Sequence, residues 1–486
     1  MTRPIYLKST LSGKRELLVP LTKGHIGIYA CGVTTYDHYH IGHALQAIYF
    51  DMIWSYLEYA GYGVTYVRNY TDVDDKIIIR AQDRQISPME LSEEIIASSE
   101  EDMAALGCRK PSFSPRVSQS IPEIIAMVET LIENKAAYPT EAGDVYYRVR
   151  QNPEYGKLSN RKVEELQSGT RDIVQSDKED DLDFALWKAD TTEGASWKSP
   201  WGPGRPGWHI ECSAMSKIHL GNTFDIHGGG LDLVFPHHEN EIAQSESANK
   251  CEYAKYWIHS GLLTIEKQKM SKSTGNQITL KDFLKKWPAE VLRLAYLQHH
   301  YASNIDFQKD TFKKAHQRLY YYYSTLASLE ELAKKSDSDA GILPGYSTEN
   351  MVEQFHKAMS DDFNSALALG NLNKEMKKAN ELITSKKSAA KFHTAKSLVA
   401  TFRELFKVFG MLQQPPAEFL EELRIRILPE LSITEDEIDK LISNRKQART
   451  DKDFALGDQL RDQLAERGIE LMDTPQGTTW KIKYDE

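Results

Sequence analysis

Near the N-terminus, residues 24–32 read GHIGIYACG, and after a short loop residues 44–61 read ALQAIYFDMIWSYLEYAG. In the first run Ile26, Ile28 and Ala30 alternate with Gly27 and Tyr29, which predicts a short buried strand that Gly32 breaks. In the second, Ala44, Leu45, Ile48, Met52, Tyr56 and Tyr59 recur at helical spacing, with Gly61 placed as a C-terminal stop. VTYVRN at 64–69 reads as another strand. Strand, loop, helix and strand in this order predict a parallel βαβ unit, whose ligands bind at the carboxyl ends of the strands. The loop from Cys31 to His43 is therefore a candidate site by position alone.

Residues 88–140 read mainly as helices and 141–205 as a mixed polar segment, with an acidic run at Asp177–Asp183 expected to be a solvated surface. A second apolar pattern starts at HIECSAMSKIHLG and continues through FDIHGGGLDLVFPHHENEIAQSE, so 115–207 is expected to be an insertion between two halves of one nucleotide-binding fold. From Phe312 the periodicity is helical, and the stripe Tyr320–Tyr323 reads as packing rather than as a base-stacking platform. A last unit runs from about Glu435 to Glu486. No apolar stretch reaches the roughly 20 residues of a spanning helix, and the N-terminus lacks a secretory apolar core, so a cytoplasmic protein without membrane partners is expected. Sixty basic against seventy acidic side chains give a net charge of −10, which excludes nucleic-acid binding through overall charge but leaves room for a local basic face.

The chain has no GxxxxGK[ST] loop. Gly202, Gly204 and Gly207 spell GxGxxG, but Pro203 and Pro206 interrupt the spelling and no apolar strand leads into it, so it reads as a turn-rich loop. His40-Ile41-Gly42-His43 is more telling, because it stands where a loop enters a helix. A helix start offers N–H groups and positive dipole to phosphate, two imidazoles add donors, and Gly42 permits close approach. Lys269-Met270-Ser271-Lys272-Ser273 places two lysines three positions apart in a loop of small residues. Such a loop suits closure over a triphosphate, neutralising charge as pyrophosphate leaves. Metal-ligand chemistry is left to Cys31, Cys212 and the segment from His237 to Glu241, whose ends are i and i+4. Two thiolates, an imidazole and a carboxylate would fill a tetrahedral zinc site. Cys31 and Cys212 share no CxxC unit, so buried free thiols are the competing reading.

The segments YACGVTTYDHYHIGHA, RNYTDVDDKI, SPWGPGRPGWHIECSAM, DIHGGGLDLVFPHHENEIAQSE, KMSKSTGN and GIELMDTPQGTTWK together resemble the class I aminoacyl-tRNA synthetases and, among them, the cysteinyl-tRNA synthetase family. The resemblance covers essentially the whole chain. It implies an α/β architecture: a Rossmann-like catalytic domain with the first half at 1–114, a connective insertion at 115–207 and the second half at 208–264. It further implies a connector with the KMSKS loop at 265–311, a helical bundle at 312–430 and a C-terminal anticodon-recognition domain at 431–486. The implied reaction joins L-cysteine to tRNA(Cys) through a cysteinyl-adenylate, with ATP and Mg2+ as substrate and a zinc ion selecting the thiol.

By the same resemblance, catalysis falls to His40, His43, Lys269 and Lys272, and ATP binding to Gly32, Thr34, His40, Gly42, His43, Asp232 and Lys272. The amino-acid pocket falls to Cys31, Thr71, Trp208 and His227, and zinc to Cys31, Cys212, His237 and Glu241, with His238 as the adjacent alternative ligand. A zinc suits the substrate, since an apolar pocket separates near-isosteres by only about 10², whereas a soft thiolate is a far better ligand than a hydroxyl. Cys108 and Cys251 match no ligand position.

Contacts to tRNA are expected from Arg445, Arg449 and Lys452, read as a basic stripe on one helix whose other face carries Leu456, Leu460 and Leu464, and from Trp480. A monomer is expected. Three other readings stand behind this one: a paralogue that passes cysteine to a sugar amine, a binding protein that has lost catalysis, and a zinc hydrolase. The intact C-terminal module, the intact HIGH and KMSKS motifs and the lack of HExxH weigh against them in turn.

Overall fold

In the computed structural model, which describes residues 2–163, 177–269, 277–336, 340–474 and 477–483, the first long strand, β1 (His25–Thr34), runs through Gly32 instead of ending there. The expected break is corrected by the neighbouring strand β2 (Gly63–Thr71). The pairing slips between Ala30 and Val33, and the Gly32 N–H donates to Asn69 Oδ1 at 2.8 Å. A Cβ on Gly32 would sit 1.7 Å from the Asn69 carbonyl oxygen. Glycine here permits close strand approach. Between the strands lies helix α1 (Ile41–Tyr59), stopped at Ala60 and followed by Gly61 with φ +94°. Helix α2 (Pro88–Ala105) starts with a Ser87–Glu90 capping box.

The second half adds helix α3 (Trp208–Leu220), strand β3 (Phe224–Gly230), helix α4 (Glu239–Asn249) and strand β4 (Ala254–Ser260). The strands form one parallel sheet in the order β4-β3-β1-β2. Ile26, Ile28, Val67, Ile226 and Trp257 are buried, as expected of a sheet covered on both faces. Between β2 and α3 the chain makes a helix at Ile121–Glu133 and a five-stranded antiparallel sheet.

That sheet corrects the reading of 202–207 as a turn-rich loop: Gly202–Pro206 is a strand paired on both sides, leading into α3. Its glycine spacing serves packing, since a Cβ on Gly204 would lie 2.3 Å from Trp187 Nε1. The acidic run is only partly a solvated face. Asp183 is buried, accepting hydrogen bonds from Val149 N–H and the Tyr138 hydroxyl, while Glu179 pairs with Arg148.

The chain divides into two compact units. The first comprises Met1–Phe283, Tyr296–Gln308 and Val352–Asn371, and the second Leu284–Ala295, Lys309–Met351 and Leu372–Glu486. In the second, helix Thr311–Ala333 packs with helices Ala389–Val408 and Pro416–Ile427. Tyr322 and Tyr323 are buried there, Tyr323 stacking on Phe419 at 4.1 Å. Glu290 is also buried, accepting from the Tyr323 hydroxyl at 2.8 Å and Leu412 N–H at 3.1 Å.

The C-terminal module overturns the single basic helix. Glu435–Thr450 and Phe454–Glu466 are separate helices, broken where Lys452 takes φ +63° and Asp453 caps the second by accepting from Leu456 N–H. A hairpin, Ile469–Thr474 with Gly477–Ile482, follows. Arg445 is buried and holds Asp473 with two hydrogen bonds of 2.9 Å, so its charge is committed within the module. Trp480 is buried with the Arg424 guanidinium 4.2 Å above its ring. Neither is an exposed tRNA contact. Arg449 and Lys452 are exposed, Arg449 resting 3.3 Å from Asp473. No helix among the described residues is long and apolar enough to cross a membrane.

Candidate active site

The start of α1 is capped by its own histidines. His40 is the N-cap residue, its Nδ1 accepting from Gly42 N–H at 3.1 Å, and His43 Nδ1 accepts from His40 N–H at 3.4 Å. A neutral imidazole that accepts at Nδ1 carries its proton on Nε2. The rings stack with centroids 3.7 Å apart. Burial, with help from His40 and Arg68, lowers the His43 pKa to about 3, so that ring is neutral at physiological pH. Of the N–H groups that a helix start offers, that of Gly42 is thus satisfied by His40, and the imidazoles carry their protons on Nε2.

Residues just beyond the KMSKS segment lie against this cap. Ile41 N–H donates to the Ile278 carbonyl at 3.0 Å, Leu280 N–H donates to that of Tyr39 at 2.9 Å, and His40 and Thr279 form a bridge. The clasp joins the start of α1 to residues 278–280, more than two hundred positions later in the chain. Lys269 ends a short strand, Gln268–Lys269, and Lys272 lies outside the described residues.

Cys31 at the β1–β2 slip, Cys212 on α3, His237 in the turn just before α4 and Glu241 in the first turn of α4 converge into a buried group whose ligand atoms all lie within 4.8 Å of one another. Sγ of Cys31 stands 3.7 Å from Sγ of Cys212 and 3.3 Å from Glu241 Oε1. Nε2 of His237 stands 3.7 Å from Cys212 Sγ and 3.0 Å from Glu241 Oε1. Zinc bond lengths of 2.0–2.3 Å in a tetrahedron give donor separations of about 3.3–3.8 Å. The donor set fits zinc in kind and nearly in spacing. A disulfide would need sulfurs about 2.05 Å apart, and both cysteines are free.

A second quartet, Cys31, His227, His238 and Glu241, shares two of these donors. In it His238 is bound through Nδ1 to His259 Nε2 at 2.8 Å, and His227 Nε2 lies 2.8 Å from Glu241 Oε2. The Tyr253 hydroxyl donates to the same oxygen at 3.0 Å. Oε2 is therefore held by neighbours while Oε1 faces Cys31 and His237, the outer-shell arrangement that aims a metal ligand.

Charge follows from this packing. Burial raises the Glu241 carboxyl, but His227 and His237 outweigh it and hold the group well below the usual carboxylate range. Burial opposes a charged His237, yet Glu241 and Cys212 raise its pKa to about 10. The hydrogen bond from Cys31 lowers Cys212 to about 7, while burial pushes the Cys31 thiol up. Metal binding at such a network must displace protons.

Trp208 is 40% exposed and sets its ring 4.2 Å from that of His237, a lip over the metal group. Thr71 ends β2, buried, its hydroxyl donating to Glu211 at 3.2 Å. Thr34 pairs with it across the sheet. His227 is fully buried and stacks on Trp257 at 4.3 Å. Asp232 is exposed in a turn after β3. Cys31, Thr71, Trp208 and His227 all touch the metal group or its immediate neighbours. Sequence reasoning missed His209, whose Nδ1 lies 2.8 Å from His237 Nδ1, along with Tyr253 and His259. Only His209 left a sequence signal, standing i−3 from Cys212 on one helix face.

The chain is similar to known proteins along nearly its whole length. The family model for the class I (C) tRNA synthetase catalytic domain matches residues 17–317, the DALR domain matches 354–413, and the cysteinyl-tRNA ligase anticodon binding domain matches 433–480. The cysteine–tRNA ligase of Geobacter metallireducens is 48% identical over 483 residues, covering 98% of this chain and 99% of that one. That of Syntrophotalea carbinolica is 46% identical over 479 residues, with 98% and 99% covered. Among solved structures, Mycobacterium tuberculosis methionyl-tRNA synthetase in complex with methionyl-adenylate superposes with TM-score 0.59 at 14% identity, over 85% of this chain and 94% of that one. A putative arginyl-tRNA synthetase from Campylobacter jejuni gives 0.54 at 14% identity, over 80% and 94%. These two likenesses concern the fold.

Proposed function

The chain belongs to the cysteine–tRNA ligase family of class I aminoacyl-tRNA synthetases, and from that premise we propose how its residues carry out the ligation. The protein is an ATP-dependent cysteine–tRNA ligase. In the first step the cysteine carboxylate attacks the α-phosphorus of ATP, supplied as its magnesium complex, and pyrophosphate leaves. In the second, a 3′-terminal hydroxyl of tRNA(Cys) attacks the acyl carbon and AMP leaves.

His40 and His43 donate Nε2–H to the phosphates as charge builds, and both rings are fixed by their Nδ1 bonds before substrate arrives. Lys269 and Lys272 neutralise the departing pyrophosphate. Gly32, Thr34, Gly42 and Asp232 border the nucleotide. Cys31, Cys212, His237 and Glu241 would hold zinc, the first quartet being preferred over the second because it supplies two thiolates. Zinc bound there would supply a soft Lewis-acid partner for the substrate thiolate, which a serine hydroxyl would ligate far less well. Trp208 covers the small side chain, and Thr71 and His227 fix the pocket wall. Arg449 and Lys452 meet the tRNA backbone, while Arg445 and Trp480 hold the module that presents them. The protein works as a cytoplasmic monomer.

The observation carrying this reading is that the buried donor quartet and the histidine cap share a wall: Gln46 of α1 donates to the carbonyl of Cys31 at 2.7 Å. Pyrophosphate exchange without tRNA, with cysteine and serine side by side, tests it. Exchange with cysteine alone, lost together with bound zinc in Cys212→Ser, is the expected result. Serine supporting exchange as fast as cysteine would refute the zinc assignment.

A further inference from the structure

On the face of the sheet where α1 and α2 pack, a cavity of about 310 Å3 opens between α1, β2, α2 and the segment 108–114. Ala47, Tyr66, Met103, Ala104 and Pro111 give it an apolar wall, and five charged side chains reach it. Four of these are matched among themselves or with a neighbour. Arg109 lies 3.4 Å from Asp51 and 2.5 Å from Glu58, and Lys110 lies 4.0 Å from Glu100. The fifth, Arg68, meets no carboxylate among the described residues. Its guanidinium contacts the Tyr39 hydroxyl at 3.5 Å and the Met103 sulfur at 3.7 Å. A half-buried guanidinium on the wall of an open, largely apolar cavity, with no carboxylate of its own, is free to pair with one brought by a ligand, and its planar fork pairs best with a carboxylate or phosphate.

Arg68 is also next to the histidine cap. It lies 5.9 Å from the Tyr39 ring, which in turn packs 5.3 Å from the ring of His43. Its positive charge is therefore part of the field felt by a triphosphate at the start of α1.

We propose that this cavity is an inhibitory effector site for a small organic anion, an apolar flat body bearing one carboxylate or phosphate, whose charge pairs with Arg68 and offsets its attraction for ATP. The site is separate from the cysteine and zinc pocket, and its occupant acts on ATP affinity through Arg68, Tyr39 and His43. By linkage, ATP weakens the effector's binding by the same factor.

Phenyl phosphate is the probe, with inorganic phosphate and benzyl alcohol as its separate halves. Ala104→Phe narrows the cavity from an exposed helix position without touching Arg68. In cysteine-dependent pyrophosphate exchange, millimolar phenyl phosphate is expected to raise the ATP KM about fivefold or more in the wild type. Neither half alone should do so, and Ala104→Phe should keep its basal KM and kcat while losing the inhibition. Calorimetric binding of phenyl phosphate should persist beside a saturating non-hydrolysable ATP analogue and vanish in Ala104→Phe and Arg68→Met. Equal inhibition of Ala104→Phe would place the probe in the ATP site and overturn the proposal. So would inorganic phosphate acting as well as phenyl phosphate, or no binding at all.

Discussion

Replacing Glu290 by glutamine should change stability in a way that depends on pH. The carboxyl is buried in the second unit, and burial, opposed by hydrogen bonds from Leu412 N–H and Tyr323, raises its pKa from 4.5 to about 7. A group raised on folding gives stability that is complete below the unfolded value and lost as pH climbs through the folded one. At about 1.4 kcal/mol per pH unit, the ionised group costs about 3 kcal/mol by pH 8 and about 1 kcal/mol at pH 5.5. Glutamine never ionises, so Glu290→Gln should gain about 2 kcal/mol on wild type between those two pH values. Its amide offers only one acceptor oxygen where the carboxylate offered two, but that loss is the same at both pH values. Hydrogen exchange of helix Thr311–Ala333, which contributes Tyr323, reads the local opening free energy without assuming that the whole chain unfolds in one step. An identical wild-type-to-variant gap at both pH values would refute the reasoning.

Four other substitutions separate roles. His43→Gln should lower the exchange rate by about 10² while leaving the cysteine KM within a few-fold. Because His43 is neutral down to a pKa of about 3, wild type and variant should keep the same profile shape between about pH 6 and 8; an inflection lost in the variant would contradict the neutral assignment. Gly32→Ala should destabilise the first unit by about 3 kcal/mol, since the added methyl meets backbone rather than a movable side chain; an unchanged melting temperature would show that β1 and β2 can separate there. Arg445→Ala should loosen the C-terminal hairpin without altering the salt dependence of tRNA binding, whereas Arg449→Ala should reduce the slope by about 1. Filter binding across a salt series distinguishes the two.

The βαβ start was readable because each of its signals is local: alternation in 26–30, helical spacing in 44–59 and a glycine stop at Gly61. Gly32 misled, because its cause lies across the sheet at Asn69, which spacing along one strand cannot reveal. Gly202–Pro206 misled in the same way, prolines and glycines masking a strand fixed by partners on both sides. At the C-terminus the break was visible in Thr450-Asp451-Lys452-Asp453, a cap signal that the basic spacing concealed. The four sulfur, nitrogen and oxygen donors were legible through the family resemblance and the residue chemistry. The histidine and tyrosine frame around them was not, since His209, Tyr253 and His259 reach it from three separate elements.

The convergence of Cys31 and Glu241 also sets a timetable for synthesis. The two are 210 residues apart, so at about 5–20 residues per second the first thiol leaves the ribosome about 10–40 s before the last carboxylate exists. Throughout that interval the nascent chain holds a cysteine with no quartet to complete. Metal capture can only follow the emergence of α4, and any chain cut short before it carries a bare thiol instead of a centre. On the proposed assignment, zinc content per polypeptide would count the chains that have passed that point and closed the quartet.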